Sequence, residues 1–222
     1  MGEAASGDEA AAKTLKDTFK RTVEENRYLP KQIFNVDETS LFWTNMPSHT
    51  YISHEEKTAP GFKASKDSFT LMLGANAAGD KKMKPVCVYR SETPRAMKGH
   101  SKQLLPVIWK HQSKDGKNQK AWMTGAIFKE WLTLHAIPEW KEYCKKETMD
   151  FKILLLIDNA PCHPKNLNDL SPHVEVVFLP PNTTCLIQPM DMGVIRAFKA
   201  YYTPRTFDRL IDAMDGGQYS DP

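Results

Sequence analysis

The chain has 222 residues, 41% of them hydrophobic and 26% charged, with a formal net charge of +3. That length supports one sizeable core and leaves little room for two, and the composition excludes a chain disordered throughout. No apolar run approaches the roughly 20 residues of a membrane span, and the opening MGEAASGDEAAA lacks the basic start and apolar core of a signal peptide, so an intracellular protein without a membrane partner is expected.

In chain order, Glu9 to Asn26 carries Leu15, Phe19 and Val23 at helical spacing before Pro30, which predicts an entry helix behind a leader rich in Ala, Gly and acids. KQIFNVDETSLFW, from Lys31, contains a β-favouring segment around Ile33, Phe34 and Val36 that leads into Asp37. SFTLMLGA (68–75) and PVCVY (85–89) read as a hairpin with its turn near Gly79 and Asp80. Between Arg90 and Lys120 stand eight Lys or Arg residues against two acids. This predicts a solvated basic insertion, whose lysines either track phosphates or simply keep the chain soluble. Thr124 is placed to cap a helix with Ile127, Phe128, Trp131, Leu132 and His135 on one face, as far as Pro138. Trp109, Trp122, Trp131 and Trp140 are expected to pack rather than stack on bases.

FKILLLIDNAPCH (151–163) is the most informative stretch, because five unbroken aliphatics run straight into Asp158 and then a turn. So short an apolar run fits an inner strand of a parallel sheet covered on both faces, and ligands of open α/β sheets gather at the carboxyl ends of such strands. VEVVFL (174–179) predicts a further strand, and PPNTTCLIQP an irregular link. From Met190, helical spacing resumes through Val194, Ile195, Phe198 and Tyr202, placing Asp191 in the first turn on the side expected to meet the sheet.

Asp37, Asp158 and Asp191 thus converge, and three carboxylates in one crevice repel unless a cation neutralises them. Hard oxygen ligands suit Mg²⁺ or Mn²⁺, and two such ions can stabilise the attacking and leaving oxygens of a phosphodiester. The alternative is that each aspartate only caps a turn or helix. Cys87, Cys144, Cys162 and Cys185 form no CxxC pair, which fits reduced thiols in a cytosolic or nuclear setting. Cys162 and His163 are too close in sequence to make a hydrolase dyad. His163 is expected either to bond locally in its turn or to lie beside the metal site, and Glu38 to point away from Asp37 in an extended chain. His49 and His54 are too isolated to be read as ligands. LLIDNAP lacks the second aspartate of a haloacid dehalogenase phosphatase, since Ala160 stands in its place.

NVDETS around Asp37, LLIDNAP at Asp158 and QPMDMGVIRAFKAYY around Asp191 resemble the three acidic motifs of the pogo and Tigger transposase family. EEKTAPGFKASKDSFTLMLGANAAGDKK, SETPRAMKGH, KAWMTG and LPPNTT are similar to the same family, so the resemblance covers Tyr28 to Tyr202. It implies an α/β ribonuclease H-like fold, a mixed sheet flanked by helices, with a DDE-type endonuclease site in which Asp37, Asp158 and Asp191 are catalytic and bind two Mg²⁺ or Mn²⁺ ions. The expected organisation is a leader and entry helix over 1–30, the endonuclease domain over 31–203 with its basic insertion near 90–120, and a short tail over 204–222. The resemblance further implies a nuclear protein that contacts DNA mainly through its backbone and leaves room for a homodimer. Relatives usually carry a helix-turn-helix region resembling that of centromere protein B, and none is evident here. Two functions follow as expectations: a domesticated transposase-type endonuclease that cuts and transfers DNA strands, or a catalytically inactive DNA- or chromatin-binding protein.

Overall fold

The computed structural model describes residues 8–42, 67–112 and 121–214. Among the described residues there are six strands: β1 Ile33–Phe42, β2 Ser68–Asn76, β3 Val86–Tyr89, β4 Ile108–His111, β5 Ile153–Ile157 and β6 Val174–Phe178. They form one sheet in the order β4-β3-β2-β1-β5-β6. β5 pairs in parallel with β1 and β6, β3 pairs in parallel with β4, and β2 with β3 is antiparallel. The expected hairpin is the β2–β3 pair, and Gly79 in its turn has φ +76°, a conformation that favours glycine. The result is a mixed sheet with helices, as the motifs implied.

The chain divides into two compact units, one of Met1–Asp37, Leu73–Lys84 and Thr124–Pro222 and the other of Glu38–Met72 and Pro85–Met123. In the first unit all five β5 residues are buried, because a strand flanked in parallel on both edges and covered on both faces has no solvated side. Helix α1, Glu9–Glu25, is capped by the Asp8 side chain, which accepts the Ala11 N–H. It lays Ala12, Leu15 and Phe19 against Leu156, Val177, Leu179 and Ile187. Phe34, one residue out of phase with Asn35 on β1, points to the opposite face and packs its ring 5.2 Å from that of Trp140. Trp131 and Trp140 meet edge to face at 6.2 Å. These side chains and Phe128 are fully buried, each worth on the order of 2–3 kcal/mol of apolar transfer.

Thr124 caps α2, Gly125–Trp131, as expected, its hydroxyl accepting the Ile127 N–H. Pro138, however, does not end the helix. A π turn at Leu132–Ala136 leads directly into α3, Ile137–Lys146, and Pro138 occupies the first turn of α3. The locally changed hydrogen bonding of the π turn accommodates the missing N–H, so buried Ala136 and Trp140 continue the apolar face. The link after β6 also contains a short helix, α4, Thr184–Ile187. Helix α5, Ile195–Met214, runs through Pro204 and past Tyr202, into the stretch expected to form a short tail.

In the second unit β3 is wholly buried. Burial pushes the Cys87 thiol up to about 12, a protonated and unreactive sulfur, and the four cysteines form no disulfide with one another. The basic stretch is not merely a solvated loop, because half-buried β4 emerges from it and Trp109 donates its Nε1–H to the Glu92 carbonyl. Its run of Ile108 and Trp109 is β-favouring but only four residues long, which hid it among lysines. The Tyr89 hydroxyl donates to Asp67, and Arg90 pairs with the same carboxylate at 3.1 Å. Trp122, expected to pack, is 59% exposed. The leader over 1–7, His49, His54, residues 113–120 and the end of the tail lie outside the described residues. Among the described residues no helix is long and apolar enough to cross a membrane.

Candidate active site

The parallel ladder between β1 and β5 pairs Ile33 with Leu154, Phe34 with Leu155 and Asn35 with Leu156. The same offset carried two residues on sets Asp37 level with Asp158, on strands that neighbour each other at about 4.8 Å. Asp37 is buried and does not end its strand: Glu38 to Phe42 continue β1, since Thr39, Leu41 and Phe42 keep the β-favouring pattern. Asp158 is the first residue past β5, as its sequence position predicted.

Asp158 sits in a turn of local bonds. Its Oδ1 accepts the Ala160 N–H at 3.1 Å and lies 2.8 Å from His163 Nδ1, which is also 3.1 Å from the Asp158 carbonyl. The His163 side chain is fully buried and its ring centroid is 4.4 Å from that of Phe128. His163 is therefore a turn residue bonded locally, as one of the two expectations had it, and a neighbour of Asp158. Burial works against ionisation of Asp158, yet the His163 hydrogen bond and charge, the Ala160 N–H and the Lys165 ammonium together hold its carboxyl below the ordinary carboxylate value. Lys165 bonds the Asn159 side chain and stands 4.1 Å over the Phe178 ring.

Asp191 lies in a π turn, Met190–Val194, in which Gly193 has φ +155° and leaves the helical path. Asp191 is exposed, whereas Met190 and Ile195 are buried. The turn is nevertheless tied to β1. The Met190 N–H donates to Asn35 Oδ1 at 3.0 Å, and Asn35 precedes Asp37 by two residues on the same face of the strand. Asn35 Nδ2 donates to the Leu156 carbonyl at 2.9 Å and to Gln188 Oε1 at 2.6 Å. Neither amide was foreseen. The signal was the polar residue that opens each of two acidic motifs, Asn35 in NVDETS, at the end of the apolar IF, and Gln188 in QPMD. Asp37, which is buried, and Asp158 supply hard carboxylate oxygens, and such oxygens fit a divalent cation of the Mg²⁺ or Mn²⁺ kind.

Comparison with known proteins defines the class. Residues 66–220 match the family model described as DDE superfamily endonuclease, and the chain belongs to that family. Within it, the chain is a pogo/Tigger-derived endonuclease domain. It is 34% identical over 198 residues to the human "Jerky protein homolog", covering 88% of this chain and 34% of that protein. With human "Tigger transposable element-derived protein 7" it shares 34% identity over 194 residues, 85% of this chain and 34% of the relative. The "CENP-B homolog protein 2" of Schizosaccharomyces pombe is 29% identical over 197 residues, 85% of this chain and 35% of its own length. The chain thus spans about a third of the length of the curated relatives it matches. Among solved structures, the catalytic domain of Mos1 mariner transposase superposes with a TM-score of 0.52 at 11% identity, over 96% of this chain and 84% of that one. A pre-cleavage Mos1 transpososome gives 0.55 at 12% identity, over 90% and 50%. At this identity the likeness shows the fold alone, and that fold is ribonuclease H-like.

Proposed function

We propose that residues 31–203 act as a metal-dependent DNA endonuclease of the transposase type, cutting and transferring phosphodiesters, in a domesticated and nuclear setting. The observation that carries this reading is the β1–β5 register, which sets Asp37 level with Asp158 at the carboxyl end of the central parallel strand. Asp37, Asp158 and Asp191 would hold two Mg²⁺ or Mn²⁺ ions. Bound there, the ions would supply Lewis acidity, lowering the pKa of an attacking water or DNA 3′-hydroxyl and stabilising the departing oxygen.

The chain's own residues then do the positioning. His163 holds the Asp158 carboxylate from one side and the Ala160 N–H from another, which favours the ionised, cation-binding form. Exposed Asp191 meets solvent, where a DNA strand can approach. Mos1 paired-end complexes with Mn and with the left transposon end have been solved, and the present chain is expected to take the same classes of ligand. Lysines and arginines of the second unit, Arg95, Lys98 and Lys110, supply charge for DNA phosphates without reading sequence.

The test is nicking of supercoiled plasmid in Mn²⁺ by this chain and by Asp37→Asn, Asp158→Asn and Asp191→Asn. Nicking by the unmutated chain and its loss in all three variants is the expected result. Full activity in any one of them removes that residue from the set. No activity in the unmutated chain under any divalent metal makes the domain a DNA- or chromatin-binding module instead.

A further inference from the structure

We infer that Asn35 and Gln188 are positioning residues, a buried amide pair that sets the spacing of Asp37, Asp158 and Asp191 and thereby the affinity of the acidic site for a divalent cation. This rests on the metal-binding reading above.

Asn35 is 7% exposed and Gln188 fully buried, so their polar atoms must find partners inside the protein. They do so at the roots of all three acidic motifs. Asn35 stands two residues before Asp37. Its Nδ2 donates to the carbonyl of Leu156, two residues before Asp158, and its Oδ1 accepts the N–H of Met190, one residue before Asp191. Gln188 accepts from Asn35 at 2.6 Å and donates its Nε2 to the Val36 carbonyl at 3.4 Å, next to Asp37. Both Asn35 Nδ2 hydrogens are therefore used, and its oxygen is used as well.

Only an amide meets these demands. A carboxylate at 35 would still accept from Met190 but would face the Leu156 carbonyl and Gln188 Oε1 with no hydrogen to give. An aliphatic side chain would leave the Met190 N–H without this acceptor. β1 and β5 are held together by their own ladder, whereas the π turn bearing Asp191 belongs to no strand. Packing of Ile187 and Met190 holds that turn down without direction. The hydrogen bonds are directional and fix where along β1 it sits. A displacement of about 1 Å can cost on the order of 10²-fold in rate, so the register of this turn governs whether an exposed Asp191 completes the site.

The experiment uses the whole chain with Asn35→Leu, Gln188→Met and the double variant. Calorimetry measures Mn²⁺ affinity, and amide hydrogen exchange follows the Gln188–Val194 segment against β5. Each single variant should weaken Mn²⁺ binding by about 10–100-fold and speed exchange at Met190, with Ile153–Ile157 still protected. The double variant should be no worse than either single one, since the two amides act as a unit. Unchanged Mn²⁺ affinity in both single variants overturns the inference. If the unmutated chain binds no Mn²⁺, the functional reading fails and exchange alone decides: faster exchange at Met190 in Asn35→Leu upholds the positioning role, and unchanged exchange overturns it. Gln188→Met nearly conserves volume and carries the same measurements should Asn35→Leu not fold. Loss of the fold in both would make the pair structural and overturn the assignment.

Discussion

Asn76 ends β2 in a buried position, and its bonds show how a few polar groups close the hairpin. Its Nδ2 donates to Asp80 at 2.7 Å and its Oδ1 accepts the Lys81 N–H, while the Tyr143 hydroxyl donates to the same Asp80 oxygen. Lys31 adds an ion pair at 3.3 Å. The Asn76 hydrogen bond, opposed by desolvation and aided by Tyr143 and Lys31, holds the Asp80 carboxyl below its ordinary value of 3.8. A depressed folded pKa means that the unfolded chain takes up the proton first. The stabilisation is therefore present above pH 3.8 and is lost as pH falls through the folded value. Urea midpoints of the unmutated chain and Asp80→Asn should separate in favour of the former as pH rises from about 2 to 5, then run parallel. A difference that does not change with pH would show that the cluster does not perturb this carboxylate.

At the scale of elements, β2 meets β1 closely enough to restrict one position to glycine. A Cβ on Gly74 would lie 2.6 Å from Val36 Cγ1 and 3.3 Å from the Asn35 carbonyl oxygen. Val36 is fully buried and β-branched, so it has little freedom to retreat. Gly74→Ala should destabilise the protein by about 1–3 kcal/mol through overpacking, read as a lower urea midpoint with the slope unchanged. Val36→Ala in the same chain should recover part of that loss. Strictly additive effects would mean that the two residues are not in conflict. Since Val36 sits between Asn35 and Asp37, the same strain should also loosen Mn²⁺ binding.

For the whole molecule, the modest net charge of +3 conceals the concentration of positive charge between Arg90 and Lys120. Part of that stretch is spent on structure, since Arg90 pairs with Asp67 and Lys102 with Glu92. Binding to double-stranded DNA is accordingly expected to be weak and indifferent to sequence. Its dependence on salt should follow a log–log slope of about −0.9 per phosphate contacted. Fluorescence anisotropy across a salt series with two unrelated duplexes measures both features. An affinity independent of salt, or a strong preference for one duplex, would contradict this expectation.

Sequence by itself determined much of this protein where the signal is local. ILLLI followed by Asp158 specified a buried parallel strand and its terminal carboxylate, because a run apolar on both faces has few other places to go. Thr124 specified the start of α2, and the motifs around Asp158 and Asp191 lie within the stretch that matches the family. Tertiary structure decided what depends on partners distant in the chain. It extended β1 past Asp37, made β4 a strand because Val86 to Tyr89 offered an edge to pair with, and carried a helix across Pro138 by inserting a π turn. It also set Asp191, exposed, in a π turn where Gly193 takes a backbone conformation that no periodicity can reveal. The amides of Asn35 and Gln188 were illegible for the same reason: their donors and acceptors lie 121 to 155 residues away along the chain or across the fold, and only folding brings them within hydrogen-bond reach.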